Sequence, residues 1–172
     1  TEGLNLLHEP LMALVGLQFH ADHGFLISPC TYQARWGGFA EIGLRSLVTP
    51  PENLLGMMTK VKDERAGAIY PGGKISKPLT RSDRARLAEG SARCREILVR
   101  AGGDPKSVFV SKVASGHPGG TAAIGEVVDA NLETKVGGLF VCDASVLPQA
   151  PGMPPMVTIG ALAKYLAKKL VA

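Results

Sequence analysis

Ala66-Gly67-Ala68-Ile69-Tyr70-Pro71-Gly72-Gly73-Lys74-Ile75-Ser76-Lys77-Pro78-Leu79-Thr80-Arg81-Ser82-Asp83 reads as a hairpin delivered directly into a helix. Residues 66–70 form an outgoing strand, Pro71-Gly72-Gly73 has turn chemistry, and residues 74–77 form a short return strand. Thr80 suits an N-cap, because its hydroxyl accepts one of the backbone N–H groups that a helix start leaves orphaned. Asp83 in the first turn favours the positive end of the helix dipole. Leu87, Cys94, Ile97 and Leu98 then share one helical face, and Ala101-Gly102-Gly103 closes an element of about 20 residues. A phosphate-binding loop is excluded here. That motif needs G-x-x-x-x-G-K-[ST], whereas Gly67 and Gly73 are one position too far apart and Ile75 follows Lys74.

Working outward, residues 57–62 are a further strand candidate, and residues 11–48 read as mixed strands and turns. Gly24-Phe25-Leu26-Ile27 and Gly43-Leu44 are the apolar pieces there. At the other end, Ile159, Leu162, Ala163, Leu166 and Leu170 share one face of a closing helix running from about Pro155 to Val171. Lys164, Lys168 and Lys169 gather toward its C-terminal end, where cations are favoured. Local strand reversals with helices packed on them make the expected class α+β: an antiparallel sheet drawn from residues 11–112 with flanking helices. The expected organisation is a sheet-and-helix part over residues 1–112 and a C-terminal segment over residues 113–172.

The 172 residues are 45% hydrophobic and 20% charged, which are globular proportions. The longest apolar stretch, residues 11–17, is far short of the roughly 20 residues a membrane-spanning helix requires. The net charge of +4 is concentrated around Arg81, Arg84, Arg86, Arg93, Arg95 and Arg100. Asp83, Glu89 and Glu96 are mixed in, as on a solvated helix face, and one Trp, three Tyr and five Phe offer no base-stacking platform. No nucleic-acid partner is expected. Cys30, Cys94 and Cys142 are widely spaced and odd in number, which is neither a disulfide framework nor a zinc site. A reducing compartment, the cytoplasm, fits that usage. His8, His20 and His23 lack the company of metal ligands, so no metal is expected.

The chemistry concentrates in Ser115-Gly116-His117-Pro118-Gly119-Gly120-Thr121-Ala122-Ala123-Ile124-Gly125. Its glycines let the backbone turn sharply or approach another molecule, and His117 has a side chain suited to proton transfer near neutral pH. Val128-Asp129-Ala130-Asn131-Leu132 follows, then Gly138-Leu139-Phe140-Val141-Cys142-Asp143-Ala144-Ser145-Val146-Leu147-Pro148. The apolar run 139–142 reads as a strand buried on both faces, with Asp143, Ala144 and Ser145 at its carboxyl end, where α/β sheets bind ligands. A Pro-rich turn through Pro151, Gly152, Pro154 and Pro155 leads to the closing helix. The start of that helix aims orphaned N–H groups at whatever lies before it.

H-P-x-G-T-x-x-x-G, V-D-x-x-L, G-L-x-V-x-D-A-S-V-x-P and a Pro-rich turn into an amphipathic helix, in that order, resemble the C-terminus of the glucose–methanol–choline (GMC) flavin oxidoreductases. The resemblance covers residues 115–172 strongly. It is fainter over residues 57–103, where Lys77-Pro78-Leu79-Thr80-Arg81-Ser82-Asp83 matches K-x-L-T-x-x-D, and at Gly3-Leu4-Asn5-Leu6-Leu7-His8-Glu9-Pro10. It implies an FAD enzyme that oxidises a CH–OH group by hydride transfer to flavin, with His117 as base or hydrogen-bond partner of the alcohol. It also implies that Asp143, Ala144 and Ser145 lie by the pyrophosphate and ribityl chain, and that Pro155, Met156 and Thr158 face the flavin pyrimidine. Residues 115–172 would then supply a strand and helix that complete the flavin domain.

Two departures qualify the resemblance. The family places a second His or Asn before the final helix, where this chain has Pro154, which has neither a side-chain donor nor an N–H. The G-x-G-x-x-G fingerprint that binds the ADP half of FAD does not occur in the 172 residues. The expected partner is therefore an N-terminal FAD-binding domain, with the chain a C-terminal fragment that is inactive by itself and exposes apolar faces that favour self-association. The alternative is a non-catalytic substrate-binding or assembly module whose flavin chemistry is lost or supplied by another chain.

Overall fold

The computed structural model describes residues 17–30, 44 and 55–171. The elements are α1 (Leu17–His23), β1 (Phe25–Cys30), β2 (Gly56–Val61), β3 (Ala68–Ile69), β4 (Ile75–Ser76), α2 (Arg81–Arg100), a 3-10 turn (Ala144–Val146) and α3 (Met156–Leu170). The described strands form two separate two-stranded antiparallel sheets, β1 with β2 and β3 with β4. The chain divides into two compact units, one of Thr1–Val61 and Arg84–Ala114, the other of Lys62–Asp83 and Ser115–Ala172.

In the first unit, Gly24 ends α1 in the left-handed conformation (φ 70°), and its N–H donates to the His20 carbonyl at 2.8 Å. The chain then turns at once into β1, which pairs with β2 from Phe25 opposite Val61 to Cys30 opposite Gly56. Phe25 is fully buried and carries the His23 ring against it at 5.8 Å. Residues 84–100 of α2 meet β2 through Gly90, whose missing side chain makes room for Thr59, and through Cys94, whose Sγ lies 3.4 Å from Thr59 Oγ1. Burial pushes the Cys94 thiol up, an effect only partly offset by the Thr59 hydrogen bond, so it is a packing group rather than a nucleophile.

The expected end signals of α2 are present at both termini. Asp83 N–H donates to Thr80 Oγ1 at 3.1 Å and Thr80 N–H to Asp83 Oδ2 at 3.2 Å, a reciprocal capping box. At the other end Gly103 N–H reaches Leu98 O at 2.9 Å and Gly102 N–H reaches Val99 O at 3.0 Å, with Gly102 at φ 95°. That is a Schellman closure. The inward face differs from expectation at one position: Ile97 is exposed, and the face is made by Leu87, Gly90, Cys94 and Leu98. The hairpin also forms where the sequence puts it. Tyr70 and Gly73 close a turn with Pro71 second and Gly72 third, the latter at φ 83°.

In the second unit, Val128, Leu132 and Val146 are buried together, with Ile124, Val141, Cys142, Leu162 and Leu166 packed around them. The helix α3 reaches this core through Leu162 and Leu166, while Tyr165 Oη donates to Ala130 O at 3.3 Å and Lys169 Nζ donates to Asn131 Oδ1. Of its expected apolar face, Ala163 and Leu170 are exposed.

Two expectations need correction. The run 139–142 is not a strand buried on both faces. Phe140 makes a single antiparallel bridge to Glu133, Val141 N–H bonds Leu132 O at 3.0 Å, and Leu139 is 51% exposed. The opposing segment cannot extend the ladder, because Leu132 sits in the left-handed region (φ 67°), held there by its burial. Residues 11–48 also contain a helix, α1, in place of strands and turns alone. Gly43 and the resembling stretch at residues 3–10 lie outside the described residues.

Candidate functional site

The segment carrying the His117 motif is seated on the segment carrying Asp143. Ala122 N–H donates to Ser145 O at 3.0 Å and Ile124 N–H to Val146 O at 2.9 Å. Ala123, between them, is fully buried. Gly119 packs so tightly that an added Cβ would stand 2.8 Å from the Ala144 carbonyl oxygen, and Gly120 adopts φ 81° beside Leu147 O. Both glycines are therefore required by geometry, the first for close approach and the second for a conformation that other residues rarely adopt. Gly125 (φ 87°) then turns the chain, and its N–H reaches Val128 O at 2.8 Å. His117 itself is exposed, two residues before this seated stretch.

Asp143, Ala144 and Ser145 share one tight turn. Asp143 caps the 3-10 helix by accepting the Ser145 N–H on Oδ1 at 2.7 Å. Its carboxyl is held below the ordinary range by the hydrogen bonds from the Ser145 side chain and N–H. It is exposed. Pro155 is buried and occupies the N-cap of α3 with no side-chain hydrogen bond, while Met156 and Thr158 in the first turn are exposed. Pro154 is half-buried.

Several structural residues carried no prior signal. Both guanidinium Nη atoms of Arg65 pair with the Glu126 carboxylate, Nη2 to Oε2 at 2.7 Å and Nη1 to Oε1. Their mutual hydrogen bond and attraction raise the arginine pKa and lower the glutamate's. Only the folded chain brings these two residues together. Asp129 accepts the N–H of Asn131 at 2.8 Å and of Glu133 at 3.0 Å, which organises the turn before Leu132; hydrogen bonding, first from Glu133, holds its carboxyl down. An Asp-x-Asn sequence was the available signal for that turn. Some arginines of α2 are engaged within the chain: Arg95 donates to Pro105 O and Val108 O, and Arg100 pairs with Glu96 at 2.7 Å. His23 pairs with Glu89 at 3.2 Å, and His8 lies outside the described residues. Among the described residues, no group of three His, Cys, Asp or Glu side chains is gathered to hold a metal, and no helix is long and apolar enough to cross a membrane.

Comparison with known proteins places this sequence in a family. Long-chain-alcohol oxidase FAO3 of Arabidopsis thaliana is 27% identical over 156 aligned positions, covering 66% of this chain and 21% of that protein. Long-chain-alcohol oxidase FAO4B of the same plant is 34% identical over 82 positions, covering 44% of this chain and 11% of that protein. Uncharacterized protein MJ1450 of Methanocaldococcus jannaschii is 33% identical over 120 positions, covering 70% of this chain and 30% of that protein. The chain thus spans less than a third of the length of each of these relatives. No solved structure gives a significant match. Residues 73–163, more than half of the chain and including the His117 loop, the Asp143 turn and most of α3, match the family model described as GMC oxidoreductase, in its C-terminal part; the chain belongs to the GMC oxidoreductases.

Proposed function

We propose that this chain is the part of an FAD-dependent oxidoreductase that presents a base and flavin-facing groups for oxidation of a CH–OH group, with His117 as the residue that takes the hydroxyl proton. The observation that carries the reading is the backbone seating of residues 119–124 on residues 144–147, which fixes the His117 motif beside the Asp143 turn. His117 is exposed on that loop, and an imidazole is the side chain most often used as a general base.

GMC oxidoreductases are in general FAD-dependent, and the donor set of this chain fits that group. The uncapped first turn of α3 offers backbone N–H groups and a positive dipole end, suited to the negative charge that a reduced flavin ring carries. Pro155, Met156 and Thr158 would hold that edge. The exposed Asp143 carboxylate, besides its bonds to Ser145, would accept from a sugar or ribityl hydroxyl, and Ala144 and Ser145 would line the same stretch. Bound FAD supplies the hydride acceptor. The ADP half we assign to an N-terminal dinucleotide-binding domain, because the 172 residues contain no G-x-G-x-x-G. The isolated chain is accordingly inactive. We further propose a cytoplasmic setting, supported by none of Cys30, Cys94 and Cys142 forming a disulfide.

Pro154 cannot donate a second hydrogen bond to the hydroxyl, so the grip falls to His117. The same proline favours a second reading, a substrate-binding or assembly module without its own flavin chemistry. An absorbance spectrum of the natively purified full-length protein separates the two. Under the first reading it shows oxidised flavin bands, bleached anaerobically by a long-chain alcohol, a substrate class suggested by the names of the two plant relatives. His117→Ala should slow bleaching by about 100-fold or more. A colourless protein leaves only the module, and bleaching that survives the substitution removes His117 from its role.

A further inference from the structure

We propose that Arg65 is a positioning residue that braces the loop carrying His117; the inference rests on the reading of His117 given above. The loop is secured at Ala122 and Ile124 by the bonds to Ser145 and Val146, and Gly119 packs on the Ala144 carbonyl, but neither Gly119 nor Gly120 has a side chain to anchor. Glycine pairs carry the greatest backbone freedom, so this is where the loop most needs external support. Arg65 supplies it. Its Nε lies 3.9 Å from where a Gly120 Cβ would stand, and its two Nη atoms grip both oxygens of Glu126, the residue directly after Gly125. One guanidinium therefore meets the loop at its middle and just past its C-terminal end.

The brace has a fixed base. Lys77 Nζ bonds Asp63 Oδ2 at 2.6 Å and Glu64 O at 3.0 Å, and Glu64 N–H donates to Asp83 Oδ1 at 3.1 Å. Asp83 is itself fully buried within the α2 cap. The two residues before Arg65 are thus tied down on one side while its side chain reaches the loop on the other. A planar fork is needed to hold both carboxylate oxygens and present an edge to Gly120, and a lysine ammonium cannot reproduce it. Exposed ion pairs contribute little to global stability, so losing this one acts locally, on loop order and on the placement of His117.

The test uses the full-length, flavin-loaded protein with Arg65→Lys, Arg65→Gln and the exchanged pair Arg65→Glu/Glu126→Arg. Hydrogen–deuterium exchange of peptides covering residues 115–125 is followed without substrate, and flavin bleaching by a long-chain alcohol is followed in single turnovers. Both single variants, including the charge-preserving lysine, should speed exchange in this segment by about tenfold. They should also slow bleaching by on the order of 10- to 100-fold at saturating alcohol, with a smaller change in the concentration needed for half-saturation. The exchanged pair should recover at least part of both. Wild-type exchange in the single variants overturns the brace, and faster exchange with wild-type bleaching overturns its positioning role. A wild-type protein that an alcohol never bleaches removes the His117 reading instead, and is told apart because exchange at 115–125 still responds to Arg65.

Discussion

Asp83 accepts the N–H groups of Glu64 and Thr80 while its own N–H is held by Thr80 Oγ1, so a fully buried carboxylate organises both the start of α2 and the end of the chain leading out of β2. Burial pushes its pKa up, but the hydrogen bonds from Glu64 and Thr80 and the charge of Lys77 outweigh that, and the net displacement is downward. The unfolded chain binds this proton near the ordinary value of about 3.9. The folded form holds it less tightly, so the contribution of Asp83 is full above about pH 4 and is lost as pH falls through the depressed folded value. Asp83→Ala should lower stability at neutral pH by about 2 kcal/mol, the effect of a lost cap with donors left unpaired. Urea midpoints of the two proteins should converge as pH is lowered from 5 to 2. Midpoints that stay equally far apart across that range would show that the side chain acts by packing, not by charge.

The contact between α2 and β2 depends on an absent side chain. A Cβ on Gly90 would lie 2.2 Å from Thr59 Cγ2 and 2.8 Å from its Oγ1, on a β-branched residue with little freedom to yield. In an exposed helix Gly→Ala is favourable by about 1 kcal/mol, but overpacking costs about 1–3 kcal/mol and wins here. Gly90→Ala should therefore lower the thermal midpoint, and Thr59→Ala in the same chain should recover part of the loss; a stabilised Gly90→Ala would mean the helix shifts freely on the strand. Elements with local instructions were the legible ones. The capping box at Thr80 and Asp83, the closure at Gly102 and Gly103 and the turn at Pro71 and Gly72 are each written within a few residues. The run 139–142 was not, because whether an apolar segment becomes a strand depends on the partner that meets it, and Leu132 in the left-handed region disrupts that partner. For the same reason the motifs around His117 and Asp143 were readable separately, while the bonds from Ala122 to Ser145 and from Ile124 to Val146, and the Arg65–Glu126 pair, exist only after folding.

Across the whole molecule, the residues that the proposed reading assigns to FAD and to the alcohol lie in one C-terminal stretch. They are the first turn of α3, the Asp143 carboxylate and the exposed His117, all in residues 115–172. No glycine-rich dinucleotide fingerprint is available for the pyrophosphate and adenosine. Part of the exposed surface of the same unit is apolar, with Met156 77% and Val157 84% accessible at the start of α3. Two expectations follow for the 172-residue chain handled alone. It should quench flavin fluorescence only weakly, with a dissociation constant no tighter than about 100 μM, since a helix end and one carboxylate supply a few charge-assisted or dipolar contacts of about 1 kcal/mol each. It should also self-associate as concentration rises, because apolar area of this kind lowers its free energy by pairing. Fluorescence titration and sedimentation velocity read the two separately. Submicromolar, stoichiometric FAD binding would mean that the chain builds a complete cofactor site by a route other than the glycine-rich fold. A strictly monomeric species at high concentration would mean that the start of α3 tolerates water, and its exposed N–H groups would then be free to meet a flavin without first shedding a protein neighbour.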